Sequence, residues 1–346
     1  MSLTVLSVAY PLAPVSADAV GGAEQVLCTL DRALVAAGHR SIVVAQEGSR
    51  VAGTLVPVPA PSGLIDDAAK AAAQARHRTA IAAALAAAPV DVVHLHGIDF
   101  DAYLPPPGPP VLATLHLPTD WYGAALAPGR PDTWLHCVSE SQHRGCPPGA
   151  HLLAPIQNGV DLALFAGRHA KRRFALMLGR VCPEKGVHLA LDAARQAEIP
   201  LIVAGKVFPY AEHLAYFARE VEPRLDRCRR FVGPVGLARK RRLLAAASCV
   251  LVPSLAPETS SLVAREAMAS GTPVVAFPAG ALAETVEHGV TGFLVDGVDA
   301  MARAIPLAAG LDPGACRRAA RERFSVDRMV AAYLALYQSL ARGRRP

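Results

Sequence analysis

The sequence predicts an α/β protein with two doubly wound parallel sheets. Its 346 residues suffice for about two domains, and a composition of 52% hydrophobic and 18% charged residues favours buried cores over disorder. Short apolar runs alternate with helical segments along the chain, which is typical of parallel sheets covered by helices. We therefore expect two domains of this kind, with a ligand bound in the cleft at the carboxyl ends of the strands.

The first predicted domain covers residues 1–163 and is joined by a C-terminal helix at 327–346. It opens with a strand at 3–9, a proline-containing loop that ends in Gly21-Gly22, a helix from Ala23 and a strand at 41–45. Gly38 supplies the helix stop. An alanine-rich helix is expected at 68–88 and a stiff loop at 105–110, with further strands at 55–58, 91–95, 111–115, 134–138 and 152–156.

The second predicted domain covers residues 164–326. Its strands are expected at 175–178, 201–204, 230–232, 249–252, 273–276 and 292–295, with helices between them. The final helix, 327–341, carries apolar residues on one side and must pack on the fold; these residues are Met329, Tyr333, Leu336, Tyr337 and Leu340.

The net charge of +6 is concentrated in short basic clusters at 171–173, 227–230, 239–242, 317–318 and 342–345. Such clusters are usually solvated helix faces, and an anionic substrate or membrane surface is the alternative partner. Nucleic acid is not expected, because no interleaved aromatic residues or recognition motif accompany the clusters.

The seven cysteines show neither C-x-x-C spacing nor paired histidine ligands, which favours reduced thiols over disulfides or structural zinc. We recognise no targeting segment and no apolar run long enough to span a bilayer. A cytoplasmic protein is therefore expected, with peripheral contact at the inner face of the membrane as the alternative.

Glu258 and Glu266 lie on either side of the start of a predicted helix, with seven residues between them. Ser260 or Ser261 is the expected N-cap, so that first-turn amides point out of the helix start toward a site for an anion. Because carboxylates repel an anion, the two acids should bind neutral hydroxyl groups on either side of it. A sugar nucleotide has this pattern of hydroxyls, diphosphate and hydroxyls.

The segment 179–186, Gly-Arg-Val-Cys-Pro-Glu-Lys-Gly, follows a predicted strand, so Arg180 and Lys185 should emerge at the cleft. A diphosphate leaving group needs fixed cations or a metal, and these two side chains would supply the cations. On the opposite wall, Gly21-Gly22 would let backbone amides approach phosphate.

Several short segments occur in an order and spacing that are specific in combination: 21–24, 91–96, 113–116, 157–161, 179–186, the two glutamates and 289–295. On these segments the sequence resembles the retaining GT-B glycosyltransferases, family 4 in particular, over nearly its whole length. The resemblance implies two Rossmann-like domains that face each other across a cleft, an N-terminal acceptor domain and a C-terminal donor domain.

The resemblance also implies roles for matching residues. Arg180 and Lys185 would hold the diphosphate, Glu266 would bind the ribose hydroxyls and Glu258 those of the transferred sugar, and His116 would lie near the sugar C6 hydroxyl. These residues would be catalytic, except Glu266, which would only bind donor. The remaining implied donor-binding positions are Gly21 and Gly22 at the phosphate, Val232 and Val235 at the base, and Ser260, Ser261, Leu262 and Val263 at the start of the helix, where family members often carry Phe-Gly in place of Ser260-Ser261.

The implied reaction is transfer with retention at the anomeric carbon, without a metal or cofactor, in which the donor phosphate takes the acceptor proton. The cationic pair and the helix start agree with this, since they supply the positive field that other transferases obtain from a metal. A UDP-sugar is the favoured donor and GDP-mannose the alternative. The acceptor would be a hydroxyl of a glycan, a lipid or a natural product.

Four residues are weaker candidates for acceptor binding: His96, Asp99, Trp121 and Tyr122. Asp99-Phe-Asp101 looks like a metal-binding Asp-x-Asp motif, but a loop that faces the acceptor or solvent is preferred. His94 and His96 are expected to face opposite sides of a strand, so that one is structural. Trp121-Tyr122 would either stack on an acceptor or pack in the fold.

Other functions fit the same scaffold, because a fold does not fix a reaction. A sugar-nucleotide epimerase or a glycan phosphorylase is one alternative, and a non-catalytic nucleotide-binding protein is another. A nicotinamide dehydrogenase is disfavoured, because no G-x-G-x-x-G follows the first strand.

Overall fold

The computed structural model describes residues 2–127, 130–148, 151–167 and 169–343. The chain forms two compact units, the first made of residues 1–157 and 329–346 and the second of residues 158–328. The sequence-predicted divisions lay at 163/164 and 326/327, within a few residues of these. The last part of the predicted C-terminal helix, 344–346, lies outside the described residues, and with it part of the basic cluster 342–345.

The first unit contains one parallel sheet of seven strands in the order β3-β2-β1-β4-β5-β6-β7. Its strands are β1 Thr4–Val8, β2 Arg40–Gln46, β3 Thr54–Val58, β4 Val92–Leu95, β5 Val111–Leu115, β6 Thr133–Cys137 and β7 Leu152–Leu153. Its helices are α1 Gly22–Ala36, α2 Asp67–Ala87 and α3 Glu140–Arg144, with single 3-10 turns at Phe100–Tyr103, Thr119–Trp121 and Gly123–Leu126. The order reverses beside β1, as in a doubly wound sheet.

The second unit contains a parallel sheet of six strands in the order β10-β9-β8-β11-β12-β13. The strands are β8 Ala175–Leu178, β9 Leu201–Ala204, β10 Arg229–Phe231, β11 Cys249–Val252, β12 Val274–Ala276 and β13 Gly292–Leu294. Its helices are α4 Leu162–Phe165, α5 Val187–Gln196, α6 Ala211–Tyr216, α7 Leu237–Ala246, α8 Leu262–Ala269, α9 Leu282–Thr285, α10 Gly297–Ala308 and α11 Pro313–Arg323. Short turns occupy Pro183–Lys185, Phe217–Val221 and Glu222–Arg224.

The predicted strands are confirmed at all thirteen positions, with ends that move by a residue or two in most cases. The exception is β7, which was predicted at 152–156 and pairs only over Leu152–Leu153. The short, apolar, β-branched strands explain the agreement, since both faces of a parallel strand are buried under helices. Separate apolar layers form on the two faces of the second sheet.

The last helix, α12 Val326–Ala341, crosses the division between the units. As predicted, one side of it is buried, through Met329, Tyr333, Tyr337 and Leu340. Within the first unit, the Tyr337 hydroxyl makes a 2.7 Å hydrogen bond with His94 Nδ1, and the Tyr333 hydroxyl lies 3.4 Å from Thr114 Oγ1. Polar groups on β4 and β5 therefore obtain part of their hydrogen bonding from α12.

No helix within the described ranges combines the length and the apolar character that a membrane span requires.

Candidate functional site

The start of α8 has an unusual backbone. Ser261 precedes the helix with φ 49° and ψ 71°, in the left-handed region, and its side chain makes no capping hydrogen bond. The prediction of a serine N-cap is therefore right for the position of Ser261 and wrong for a side-chain cap. The buried Ser260 hydroxyl has no hydrogen-bond partner among the described residues. Both features leave polar groups at the helix start available to a ligand.

Glu258 lies in the loop before α8 and is paired with Lys185. Lys185 Nζ donates to Glu258 Oε1 at 2.5 Å, and the side chains are 27% and 10% exposed respectively. Ser254 Oγ donates to the same oxygen. Burial raises the pKa of Glu258, but the Lys185 ammonium, the hydrogen bonds from Lys185 and Ser254, and the charge of Arg180 hold it below its ordinary value overall. Glu258 is therefore an anion at neutral pH.

The loop that carries Arg180 and Lys185 is tied to the loop that carries Glu258. Gly186 adopts φ +62°, and an added Cβ there would collide with the carbonyl of Pro253. The Leu255 amide donates to the Glu184 carbonyl at 2.8 Å. This close approach of two backbones explains why a glycine is needed after Lys185.

Glu266 lies inside α8 and is paired with Lys240 of α7. Lys240 Nζ donates to Glu266 Oε1 at 2.6 Å, and the side chains are only 12% and 5% exposed. Burial raises the pKa of Glu266, and Lys240 opposes that rise only in part. The sequence placed Lys240 in a solvated basic cluster, and this interpretation is wrong because the lysine is buried against the acid.

The predicted base-binding loop also lies at this edge of the sheet. The Val232 amide donates to the Val203 carbonyl at 2.9 Å, the Gly205 amide to the Gly233 carbonyl at 3.0 Å, and the Gly179 amide to the Ala204 carbonyl at 3.2 Å. The loops that follow β8, β9 and β10 are therefore neighbours at the carboxyl ends of their strands. The second unit thus brings together Arg180, Lys185, Glu258, Glu266, Val232 and the start of α8 at one edge.

In the first unit, four histidines form a group that we call the histidine cluster: His94, His96 and His136, which are buried, and His116, which is half-buried. The rings of His94 and His96 are 3.9 Å apart. The expectation that these two face opposite sides is wrong, because residues two apart on a strand share a face. Thr114 Oγ1 joins His94 and His136 through hydrogen bonds of 2.6 and 2.7 Å.

His116 follows β5, and its Nε2 lies 3.0 Å from Nδ1 of His96. Burial lowers the pKa of His116 to about 3, assisted by the charge of His136. Burial likewise lowers the pKa of His136 to about 4. The cluster is therefore neutral at physiological pH, and His116 can act there only as a hydrogen-bonding group.

The weaker acceptor candidates have mostly structural partners. Asp99 accepts hydrogen bonds from Gln74 Nε2 at 2.8 Å and from the Tyr103 hydroxyl at 3.0 Å. Tyr122 is buried, and its hydroxyl accepts a hydrogen bond from the Leu117 amide at 3.2 Å. Of the two roles expected for this residue, stacking on an acceptor or packing in the fold, these contacts favour packing. Trp121 is 41% exposed and keeps a face for a ligand.

Gly21 and Gly22 stand at the start of α1, as predicted, with Gly21 as the N-cap. The buried Glu24 carboxylate lies against Gly21, where an added Cβ would strike it. A phosphate at this helix start would therefore require the Glu24 side chain to move, because two anions cannot share the position.

Known proteins match both halves of the chain. Residues 20–164 match the family described as Glycosyltransferase Family 4, and residues 172–308 match Glycosyl transferases group 1. A D-inositol 3-phosphate glycosyltransferase from Kribbella flavida is 40% identical over 46% of this chain and 43% of its own length. A glycogen synthase from Mycobacterium tuberculosis is 34% identical over 57% of this chain and 51% of its own. The chain thus spans about half the length of these curated relatives.

Solved structures match nearly the whole chain. AviGT4, a glycosyltransferase involved in avilamycin A biosynthesis, has a TM-score of 0.72 and 27% identity, with 99% of this chain and 98% of AviGT4 covered. A sucrose-phosphate synthase from Thermosynechococcus elongatus has a TM-score of 0.81 at 21% identity and covers 99% of this chain. The two parallel-sheet units and these matches establish that the chain has the GT-B fold and belongs to the family 4 glycosyltransferases.

Proposed function

We propose that the chain transfers a hexosyl group, with retention and without a metal, from a nucleotide diphosphate sugar to a hydroxyl acceptor. The observation that carries the proposal is the pair of lysine-bound acids around the start of α8. Each acid has one oxygen, Oε1, bound to a lysine: Lys185 for Glu258 and Lys240 for Glu266. The second oxygen of each carboxylate can accept from a hydroxyl group, which suits the sugar and the ribose at the two ends of such a donor.

The cations support binding of the diphosphate between these acids. The Lys185 ammonium carries three donors, of which one is directed to Glu258. Arg180 lies close enough for its charge to lower the pKa of the Glu258 carboxyl group. In the transition state the leaving diphosphate gains negative charge, which fixed cations and helix-start amides stabilise without reorganisation. No protein base is required if the departing phosphate oxygen takes the acceptor proton.

A UDP-sugar is the donor that we favour, and GDP-mannose is the alternative. Structures of one GT-B neighbour, Anabaena HepE, contain UDP and glucose or UDP-glucose, but at 19% identity this likeness bears on the fold alone. The relatives named above act in inositol phosphate, glycogen and avilamycin A chemistry, so they do not select an acceptor. We therefore keep a glycan, a lipid and a natural product as candidate acceptors in the proposal. We also propose that His116 contacts the transferred sugar and that Gly21 and Gly22 contact the phosphate.

Release of nucleoside diphosphate from UDP-glucose and GDP-mannose, with and without an acceptor panel, tests the proposal. We expect acceptor-dependent release that falls by about 10²–10³ in Arg180→Ala, since one lost donor to a developing charge costs that much. Glu258→Gln should also fall, through poorer placement of the sugar. The matched control is Arg195→Ala, whose guanidinium forms a half-exposed ion pair with Asp226 in the same unit and should be neutral.

Three outcomes would contradict the proposal. Unchanged release in both site variants would show that these residues do not carry the reaction. Conversion of the donor without any acceptor would indicate an epimerase. Saturable binding without turnover across the panel would indicate a binding protein.

A further inference from the structure

A second polar group lies beside the donor loop, formed by Cys182, Glu184 and His213. Cys182 and Glu184 belong to the loop between β8 and α5, and His213 belongs to α6. One ligand-capable atom from each residue lies within 4.8 Å of the others, and within the described ranges no other set of three or more His, Cys, Asp or Glu residues does so. Cys182 is fully buried and His213 is 8% exposed.

Two atoms of this group lack hydrogen-bond partners among the described residues. Glu184 Oε2 and His213 Nδ1 are both buried without a partner in hydrogen-bond geometry in the described part of the chain, and the Cys182 thiol lies close enough to the Glu184 carboxylate to interact with it. Buried polar atoms are normally satisfied, because an unmade hydrogen bond leaves the full cost of removing the group from water. Two such atoms beside the same thiol indicate a missing partner that both can bind.

The chemistry of the three side chains favours zinc as that partner. Thiolate, imidazole and carboxylate are the ligands that Zn²⁺ takes, whereas Mg²⁺ and Ca²⁺ prefer oxygen alone. One thiolate and one carboxylate balance the double charge of the ion, and the nearby Arg180 guanidinium is then a remaining positive charge. The Cys182 thiol would give its proton to solvent as the sulfur binds the metal.

The geometry requires only a small closure. Bonds of about 2.0–2.3 Å at a tetrahedral angle separate two ligand atoms by about 3.5 Å. The present separations, up to 4.8 Å, therefore need to shrink by about 1 Å at most, which rotations of the three side chains can supply. Three protein ligands leave a fourth position for water.

We infer that Cys182, Glu184 and His213 bind a zinc ion that joins the loop carrying Arg180 and Lys185 to α6. The ion holds the loop in place and takes no part in the reaction. The site was not expected from the sequence, since its ligands come from two segments and show no C-x-x-C spacing. The inference does not depend on the proposed reaction.

The test uses full-length protein freed of metal by a chelator and titrated with Co²⁺, which reports thiolate coordination by a charge-transfer absorption. We expect one equivalent to bind, Zn²⁺ to displace it, and the absorption to vanish in Cys182→Ser. His213→Gln should weaken binding by more than about tenfold, since even indirect partners of metal ligands are worth that much. Because the readout is spectroscopic, it is independent of glycosyl transfer.

The matched control is Cys146→Ser. The Cys146 and Cys137 sulfurs lie 3.4 Å apart and form the competing thiol site. The proposal is overturned if the absorption disappears in Cys146→Ser and persists in Cys182→Ser. It is equally overturned if wild-type protein takes up no more Co²⁺ than Cys182→Ser, which would mean that water fills the group. Should Cys182→Ser fail to fold, His213→Gln and Glu184→Gln decide the question by the same titration.

Discussion

Replacing Lys185 by methionine should destabilise the second unit by leaving Glu258 as a buried, unpaired anion. Unit charges 2.5 Å apart attract by roughly 6–7 kcal/mol at an effective dielectric constant of about 20. The net loss in the free energy of unfolding is smaller than this attraction. The Lys185 ammonium is hydrated in the unfolded wild-type chain and gives up part of that hydration to form the pair, and in the variant Ser254 keeps its hydrogen bond to the Glu258 carboxylate. We expect a loss of about 3 kcal/mol, at the lower end of the values for breaking a buried pair.

The loss should depend on pH in a defined direction. In the wild type, the pKa of Glu258 is below its unfolded value, so its contribution to stability is present above the unfolded pKa and lost as pH falls through the folded pKa. Without Lys185, burial raises the pKa of Glu258, and the variant regains stability as pH falls and the acid takes up a proton. The difference in the free energy of unfolding between wild type and variant should therefore become smaller as the pH is lowered from 7.5 to 5.

Urea unfolding followed by circular dichroism measures this difference in the free energy of unfolding. Hydrogen exchange of the amides in β8 and β11 shows whether the loss lies in the second unit. Lys70→Met is the matched control, since Lys70 pairs with Asp67 on the surface of α2 and should change stability by less than about 0.5 kcal/mol. Adding Glu258→Gln to Lys185→Met should recover at least about 1 kcal/mol, because no buried charge then remains. A difference that is constant with pH, or losses that simply add in the double variant, would refute the reasoning.

Two further predictions concern packing and acid stability. Gly186→Ala should lower the melting temperature much more than Gly289→Ala, because both glycines have positive φ but only Gly186 also faces a backbone carbonyl; equal shifts would contradict this close approach. The histidine cluster should make the first unit lose stability as pH falls below about 6.5, since its lowered pKa values mean that the unfolded chain binds more protons. Both tryptophans, Trp121 and Trp134, lie in the first unit, so their fluorescence during urea unfolding reports it, and a midpoint that stays constant between pH 6.5 and 4.5 would contradict the prediction.

The sequence predicted the fold well because its signals are local. Apolar runs bounded by glycine and proline mark the strands, and strictly parallel sheets follow from strands that alternate with helices. The prediction failed in part at β7, where regular pairing covers two residues and Pro155, which has no amide donor, interrupts the run, although the Ile156 amide still donates to the Cys137 carbonyl. The side chain of Ser261 also differs from expectation: the residue stands at the N-cap with a left-handed backbone and makes no capping hydrogen bond, and a serine in the sequence does not predict that backbone.

The candidate site was predicted only in its outline. Arg180, Lys185, Glu258 and Glu266 were identified from motifs, and the structure places them at one edge of the second sheet. Lys240 was missed because it lies among arginines in a helix whose composition suggests solvent exposure. It lies four residues before the buried Leu244 and therefore on the same face of α7. Pairing between α7 and α8 is a tertiary contact, and no spacing along the chain reports it.

The first unit is assembled from two separate stretches of chain, while the second is continuous. During synthesis, every residue of the second unit is added to the chain before Tyr333 and Tyr337. His94 on β4 and Thr114 on β5 gain these hydroxyl partners only then. The first unit therefore completes its hydrogen bonding only after the whole second unit has been synthesised, which departs from the usual N-terminal-first order of domain folding.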